Sequence, residues 1–212
     1  MTTSFKRSPL ALAILGLLEA GPLHPYGMQQ LIKEWGKDQV INVGQRATLY
    51  KMIARLTEAR LIKVCETTRD NLYPERTSYE LTDAGRAAAR QWMDEILSTP
   101  RNEFPEFPAA LSFLPLLTPE AAADLFERRR ELLIQELTER DAELTTALEG
   151  FFQLPRVTLL ESEYLRALTQ AELRWIDEVL AGLRDKSITW SEEELRAAAT
   201  RLQVPPTPTP GR

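Results

Sequence analysis

Cysteine and histidine are almost absent from this 212-residue sequence, which contains one of each, Cys65 and His24. A single cysteine excludes an internal disulfide framework, and we expect the chain to work in a reducing cytoplasm. One histidine excludes a metal site built on two histidines. We interpret His24 as a polar residue near a helix start. Cys65 has two possible roles, an inert thiol or a redox sensor.

Glycine-rich loops and long apolar runs are missing as well. The nine glycines are scattered, and none lies in a G-x-x-x-x-G-K or G-x-G-x-x-G frame, so a phosphate-binding loop is not expected. The longest apolar run covers residues 10–18, which is too short to span a bilayer, and Glu19 and Gly21 close it without a signal-peptide cleavage pattern. We therefore expect no membrane association, no cofactor and no metal.

The charges are unevenly distributed between the two halves of the chain. Residues 1–90 contain 13 basic and 9 acidic side chains, a net charge of +4, whereas residues 91–212 contain 13 and 22, a net charge of −9. Hydrophobic residues make up 43% of the sequence, which is enough for a core. Ordinary surface variation remains an alternative, but the asymmetry favours two parts, of which only the first attracts a polyanion.

The first 98 residues carry the pattern of a winged helix-turn-helix. Helices are predicted over residues 8–20, from residue 24 to Gly36 and over residues 43–59. Alternating, β-branched segments over residues 61–67 and 77–81 predict a hairpin, and Thr82 caps a fourth helix that continues to about residue 98. The third helix would read DNA and the hairpin would be the wing. The same elements also occur in protein-binding modules.

Long helices are predicted for the second part, so the fold class is mainly α. Residues 99–118 form a Pro-rich connector with a short helix, extended over 99–110, and helices follow over 119–150 and 157–186. Their apolar stripes are wide: Leu125, Leu132, Leu133, Leu137, Leu144 and Leu148, then Tyr164, Leu165, Leu168, Ala171, Trp175, Ile176, Val179, Leu180 and Leu183. Such faces predict that residues 119–202 pack against a second copy as a homodimer, and residues 203–212 should be disordered.

Candidate DNA contacts follow from the helical wheel of the third helix. Its apolar stripe is Leu49, Met52, Ile53 and Leu56, which leaves Arg46, Ala47, Thr48, Tyr50, Lys51 and Arg55 on other sides. Gln45, Arg46 and Thr48, near its start, are the candidates for base edges. Lys51, Tyr50 and Tyr26 suit phosphate oxygens. A plain solvated basic face is the alternative.

Two arginines belong to the predicted wing. Arg69 and Arg76 could enter a minor groove or contact backbone phosphate. Arg76 could equally pair with Glu66 or Glu75 of the hairpin, in which case it carries no DNA contact.

Aromatic and acidic residues of the second part suggest further sites. Six aromatics would line an effector pocket at the junction of the two parts, or else serve as core and dimer contacts: Trp92, Phe104, Phe107, Phe113, Tyr164 and Trp175. Carboxylates such as Glu161, Glu163 and residues 192–194 lack a calcium-loop pattern, so a solvated acidic face is favoured over metal binding.

Three stretches of the first part resemble the PadR family of transcriptional regulators. They are residues 21–27 (GPLHPYG), Thr48-Leu49-Tyr50 followed by Leu56 and Leu61-Ile62, and residues 76–85 (RTSYELTDAG), with Trp92 further along. The departures are Arg60, where the family usually has glycine, and Lys51 after the Leu-Tyr pair. The resemblance implies a homodimer on an inverted-repeat operator, and repression relieved by a small apolar or aromatic molecule. Arg76 matches the family's wing arginine.

These features predict a sequence-specific regulator that binds double-stranded DNA, and not an enzyme. A helical adaptor that uses the winged module to bind protein is the first alternative. An acid–base enzyme in the acidic helices is the second, although no nucleophile–base pair or metal set can be named for it.

Overall fold

The computed structural model describes residues 5–68, 76–149 and 155–203. The chain divides into two compact units, Met1–Asn102 and Glu103–Arg212. Unit 1 contains α1 (Pro9–Leu18), α2 (Pro25–Glu34), α3 (Arg46–Glu58), β1 (Ile62–Thr68), β2 (Arg76–Leu81) and α4 (Asp83–Ser98). Unit 2 contains α5 (Glu106–Leu111), α6 (Pro119–Glu149), α7 (Leu160–Arg184) and α8 (Glu192–Gln203). This mainly helical order, with a two-stranded hairpin before α4, confirms the predicted fold class.

Side-chain caps determine where three helices of unit 1 begin. Ser8 Oγ accepts the Ala11 N–H at 3.2 Å and Pro9 occupies the first helical position. The imidazole Nδ1 of His24 accepts the Tyr26 N–H at 3.1 Å at the start of α2. Thr82 Oγ1 accepts the Gly85 N–H at 3.0 Å at the start of α4. His24 is therefore a helix cap, in agreement with its interpretation from sequence.

The core of unit 1 lies where α1, α2, α3 and β1 meet. Its fully buried side chains include Ile14, Leu15, Met28, Ile32, Leu49, Ile53, Leu56 and Ile62. The apolar stripe of α3 is buried as the spacing predicted, with Met52 also 9% exposed. The opposite side of α3 is therefore left to solvent.

The hairpin is antiparallel and is tied to the start of the domain. Ile62 pairs with Leu81 and Val64 with Tyr79, and the register shifts at Cys65, between Val64 and Glu66. An isolated bridge joins Tyr79 to Leu23, just before α2. Lys63 Nζ lies 2.8 Å from Glu80 Oε1 across the strands, and this hydrogen bond raises the pKa of Lys63 and lowers that of Glu80.

In unit 2, α6 and α7 pack side by side and run antiparallel. Ion pairs join Glu127 to Arg184 at one end of the pair, Arg129 to Glu172 near its middle and Asp141 to Arg166 towards the other end. Between the helices lies an apolar cluster that includes Ala122, Phe126, Leu133, Ile176, Leu180 and Leu183. The long helical patterns of the sequence are therefore confirmed, with α7 beginning at Leu160 instead of residue 157.

Two predicted boundaries were wrong for identifiable reasons. The third helix begins at Arg46 and not at residue 43, because Asn42 Oδ1 accepts the Gly44 N–H and Val43 is buried outside the helix. Residues 106–111 form α5 instead of an extended connector, since Phe107 and Leu111 pack on the α6–α7 cluster. Of residues 203–212, predicted to be disordered, Gln203 is the last residue of α8 and residues 204–212 lie outside the described residues.

A further helix, α8, was not identified as an element of its own. Ser191 Oγ accepts the Glu194 N–H at 3.2 Å, while Glu194 Oε2 accepts the Ser191 N–H at 2.9 Å. This reciprocal capping box, together with acidic residues in the first turn, explains the carboxylates at residues 192–194 as helix-start residues. The S-x-x-E spacing is the signal that would have revealed α8.

Candidate nucleic-acid interface

One side of α3 presents polar and basic groups to solvent. Gln45, which precedes the helix, and Arg46, Thr48, Tyr50 and Lys51 within its first two turns are all exposed, whereas Leu49 between them is 1% exposed. Within the described ranges, no carboxylate forms an ion pair with Arg46 or Lys51. Both cations are therefore available to an external anion without first breaking an ion pair.

Two of the predicted phosphate contacts are exposed tyrosines. Tyr26 lies in the first turn of α2 and Tyr50 in the second turn of α3, and they are 58% and 50% exposed. The backbone N–H of Tyr26 is satisfied by the His24 cap, which fixes the start of α2. Phenol hydroxyls at such positions can donate to phosphate oxygens.

The wing arginines are described only in part. Arg76 is the first residue of β2, opposite Thr68 in the strand register, and Arg69 lies outside the described residues. Their roles as groove or phosphate contacts stay predictions.

A buried glutamine, which the sequence reasoning missed, holds the segment that leads into α3. Gln29 is 9% exposed and its Nε2 donates to the carbonyl oxygen of Val43 at 3.1 Å. The signal was present in the sequence, because Gln29 shares the helical face of Pro25, Met28 and Ile32 and is its only polar member. A polar residue on a buried face usually has a specific hydrogen-bond partner.

We expect Gln29→Met to lower the free energy of unfolding by about 1–2 kcal/mol, because methionine fills a similar volume but leaves the Val43 carbonyl without its donor. Urea denaturation followed by circular dichroism measures this change. As a control, Gln30→Met alters an exposed glutamine of α2 that bonds only to Glu34, and it should change stability by less than about 0.5 kcal/mol. Equal effects of the two substitutions would contradict a positioning role for Gln29.

The six aromatics of the predicted effector pocket have different surroundings. Trp92 is 7% exposed in unit 1, where its ring stacks on Phe5. Phe107 and Trp175 of unit 2 meet edge to face at 6.0 Å. The remaining three are largely exposed: Phe104 (82%), Phe113 (67%) and Tyr164 (63%). A pocket that joins them stays a prediction.

Several acidic residues of unit 2 form ion pairs with arginines. Arg156 donates from Nε and Nη2 to the two carboxylate oxygens of Glu163, at 2.9 Å each, and this lowers the pKa of Glu163. Across the helix pair, Arg130 and Arg166 each donate from Nε to one carboxylate oxygen, of Asp177 and Asp141 respectively. Across residues 5–68, 76–149 and 155–203, no cluster of three or more His, Cys, Asp or Glu side chains is suited to hold a metal ion.

In that same part of the chain, no helix is long and apolar enough to cross a bilayer. The longest, α6, has 31 residues but carries charged side chains along its whole length.

A helical domain with a two-stranded wing, whose third helix exposes a basic face, defines a winged helix-turn-helix DNA-binding protein. Residues 14–91 match the model of the transcriptional regulator PadR-like family. The winged part of the chain is therefore similar to this family of transcriptional regulators.

Similarity to known members extends beyond the winged domain. The negative transcriptional regulator PadR of Bacillus subtilis (strain 168) is 28% identical over 149 residues, which cover 68% of this chain and 73% of the relative. The crystal structure of B. subtilis PadR in complex with operator DNA superposes with a TM-score of 0.65 at 23% identity, covering 83% of this chain and 99% of that one. Its complex with p-coumaric acid gives a TM-score of 0.62 at 21% identity, over 84% and 99%. At this level of identity, the structures establish the shared fold.

Proposed function

We propose that this protein is a homodimeric repressor that binds an inverted-repeat operator and is released from it by a small apolar or aromatic molecule. The observation that carries the proposal is the exposed face of α3, with Arg46, Thr48 and Lys51 towards solvent and its apolar stripe buried. The B. subtilis relative is a negative regulator whose structures contain operator DNA or p-coumaric acid, which supports the same roles here.

The positions along α3 suggest separate roles. Arg46 is the first residue of the helix, and Gln45 and Thr48 lie beside it, at the end that enters a major groove in helix-turn-helix proteins. An arginine there can donate two hydrogen bonds to guanine, and a glutamine can pair with adenine in the same way. Lys51, Tyr50 and Tyr26 are assigned to phosphates, which fix the pose without reading sequence.

Exposed apolar side chains of unit 2 support the homodimer. On α7, Leu160, Tyr164, Leu168 and Trp175 are between 38% and 63% exposed and follow one another at helical spacing. On α6, Leu132 is 67% exposed and Leu125 is 48% exposed. Contiguous apolar surface of this kind is typical of a subunit interface, and a two-fold dimer would bury the stripe of each protomer.

Fluorescence anisotropy with duplex DNA from upstream of the protein's own gene, compared with scrambled duplex across a salt series, tests the proposal. We expect binding at least 10³-fold tighter to the first duplex, with a steep decrease in affinity as salt rises. Binding that depends on neither sequence nor salt would favour a protein-binding adaptor instead. A reporter under the same upstream region should be silenced by the protein, and p-coumaric acid serves as the first probe for release.

Substitutions on α3 should separate base reading from phosphate contact. Arg46→Ala is expected to cost about 1–3 kcal/mol on operator DNA, roughly 5- to 150-fold in Kd, and little on scrambled DNA. Lys51→Ala should weaken binding to both duplexes alike and reduce the salt slope by about one. Arg90→Ala removes the same charge from an exposed position on α4 and serves as the control. Uniform losses from Arg46→Ala and Lys51→Ala would contradict the assignment.

A further inference from the structure

The segment before α1 contacts two helices that are distant from it in sequence. We call Phe5, Lys6, Arg7 and Ser8 the N-terminal arm. Ser8 caps α1, whereas Phe5 and Arg7 reach side chains of α3 and α4 that lie 50 to 88 positions further along the chain. Contacts over such sequence distances fix one part of a fold relative to another.

The Phe5 ring meets one side chain from each of these helices. It stacks on Trp92 of α4 with a centroid distance of 5.6 Å and an interplanar angle of 21°. The guanidinium carbon of Arg55, on α3, lies 5.1 Å from the centroid of the same ring. Aromatic stacking and a cation over a ring are both directional contacts, so Phe5 links α3 to α4 in a defined arrangement.

Arg7 forms a second contact between the arm and α4. Its side chain is 14% exposed and forms an ion pair with Glu95, which is one helical turn after Trp92. Because a largely buried arginine with one carboxylate partner is costly to leave unpaired, this contact holds the arm against α4. Phe5 and Arg7 thus bind neighbouring turns of one helix.

The link matters because α3 and α4 have little direct contact with each other. Among the described residues, both pack against α1, and α3 also packs against α2 and β1. Phe5 is therefore a direct side-chain connection between the helix that carries Arg46 and the helix through which the chain leaves unit 1. Arg55 stands about two and a half turns after Arg46 on α3, and its guanidinium is engaged with the arm.

We propose that the N-terminal arm positions the reading helix, with Phe5, Arg7 and Arg55 as positioning residues for DNA binding. The arm holds the C-terminal end of α3 to α4 and so fixes the angle at which the N-terminal end of α3 meets the major groove. The proposal rests on the proposed function for its DNA readout. It assigns Arg55 to the arm and not to a DNA phosphate.

A double-mutant cycle on Phe5 and Arg55, measured as anisotropy with operator and scrambled DNA, tests this role. Phe5→Leu and Arg55→Gln are each expected to weaken operator binding about tenfold, while the affinity for scrambled DNA stays within about twofold of wild type. Arg55→Lys keeps a cation for the ring and should therefore recover most of the lost operator affinity. Together the two substitutions should cost little more than either alone, because both break one connection. Additive losses, or an equal loss on scrambled DNA from Arg55→Gln, would make Arg55 a DNA contact and overturn the proposal.

Two further variants separate positioning from general stability. Arg7→Glu should weaken operator binding, and Arg7→Glu with Glu95→Arg should restore it, since the reversed pair rebuilds the contact. Arg86→Ala is the matched control, because Arg86 ties α4 to Glu19 after α1 without touching the arm or α3. An Arg86→Ala loss as large as that of Phe5→Leu would mean that any weakening of unit 1 lowers DNA affinity, and would overturn the specific role.

Hydrogen exchange tests, without DNA, whether the arm stabilises α3. In the full chain, Phe5→Leu is expected to raise exchange of the α3 amides about tenfold relative to wild type, while Arg86→Ala leaves them unchanged. If wild type binds no operator duplex but α3 exchange rises in this way, the proposed function fails and the arm proposal stands. Unchanged α3 exchange in Phe5→Leu would overturn the arm proposal even where wild type binds DNA.

Discussion

Gly85→Ala is expected to lower the free energy of unfolding of unit 1 by about 3 kcal/mol, although it adds a single methyl group. A Cβ at this position would lie 1.9 Å from the carbonyl oxygen of Leu61 and 2.9 Å from its carbonyl carbon. It would also lie 2.8 Å from Leu81 Cδ1. Because two of these three atoms are backbone, no change of rotamer relieves the clash.

The Leu61 carbonyl cannot move away from the new methyl group without weakening its own hydrogen bonds. It accepts the Thr82 N–H at 3.2 Å and the Thr82 Oγ1 hydroxyl at 2.9 Å, and that hydroxyl oxygen caps α4 by accepting the Gly85 N–H. The preceding residue, Arg60, already has a φ of 58° in the left-handed region. Moving the carbonyl would therefore loosen the helix cap and the start of the wing together.

Denaturation by urea, followed through helical circular dichroism, measures the loss. Gly16→Ala is the matched control, because Gly16 lies inside α1 and no atom would come within 4 Å of its new Cβ. This change should raise the free energy of unfolding by about 0.5–1 kcal/mol, as alanine is the better helix former. A Gly85→Ala protein as stable as wild type would show that the α4 start can shift to make room.

Local signals were sufficient to predict the elements of unit 1. Helix caps at Ser8, His24 and Thr82, the apolar stripe of α3 and the alternation of β1 all depend on residues close together in sequence. The base-edge and phosphate candidates on α3 followed from the same helical wheel, and their exposure agrees with it. Gly85 belonged to the motif on which the resemblance rested, but its steric reason could not be predicted, since Leu61 approaches it from 24 positions away.

Long-range contacts explain most of what sequence reasoning missed. Arg55 shared the polar side of α3 on the wheel, and only the folded chain brings Phe5 to it. The prolines of residues 99–110 indicated an extended connector, whereas Phe107 finds a partner in Trp175 that stabilises α5. At α5, tertiary packing overrides local propensity.

The apolar stripes of α6 and α7 show a third limit of prediction from sequence. On the wheel of α7, Tyr164, Leu168 and Trp175 merge with Ile176 and Leu180 into one wide apolar face. In the structure that face is divided, because Ile176 and Leu180 are buried against α6 while Leu168 remains 49% exposed. The pattern gave the total apolar surface, but which part faces the neighbouring helix depends on how α6 and α7 pair.

This division identifies a position at which the proposed homodimer can be broken without damaging the protomer. Leu168→Glu places a charge in the exposed stripe of α7, and the residue contributes nothing to the buried cluster of unit 2. Each protomer would lose the burial of one leucine, about 2 kcal/mol, and a two-fold interface contains the residue twice. The loss of about 4 kcal/mol corresponds to a roughly 1,000-fold weaker dimer.

Sedimentation velocity over a concentration series should therefore find wild type as a dimer and Leu168→Glu as a monomer with unchanged helical circular dichroism. Ala181→Glu introduces the same charge at an exposed position on another side of α7 and should remain dimeric. Because a monomer contacts only one half-site, Leu168→Glu should also lose most of its operator affinity while binding an isolated half-site as well as wild type does per protomer. A Leu168→Glu protein that stays dimeric would place the subunit interface elsewhere, and a monomer with full operator affinity would contradict recognition of an inverted repeat.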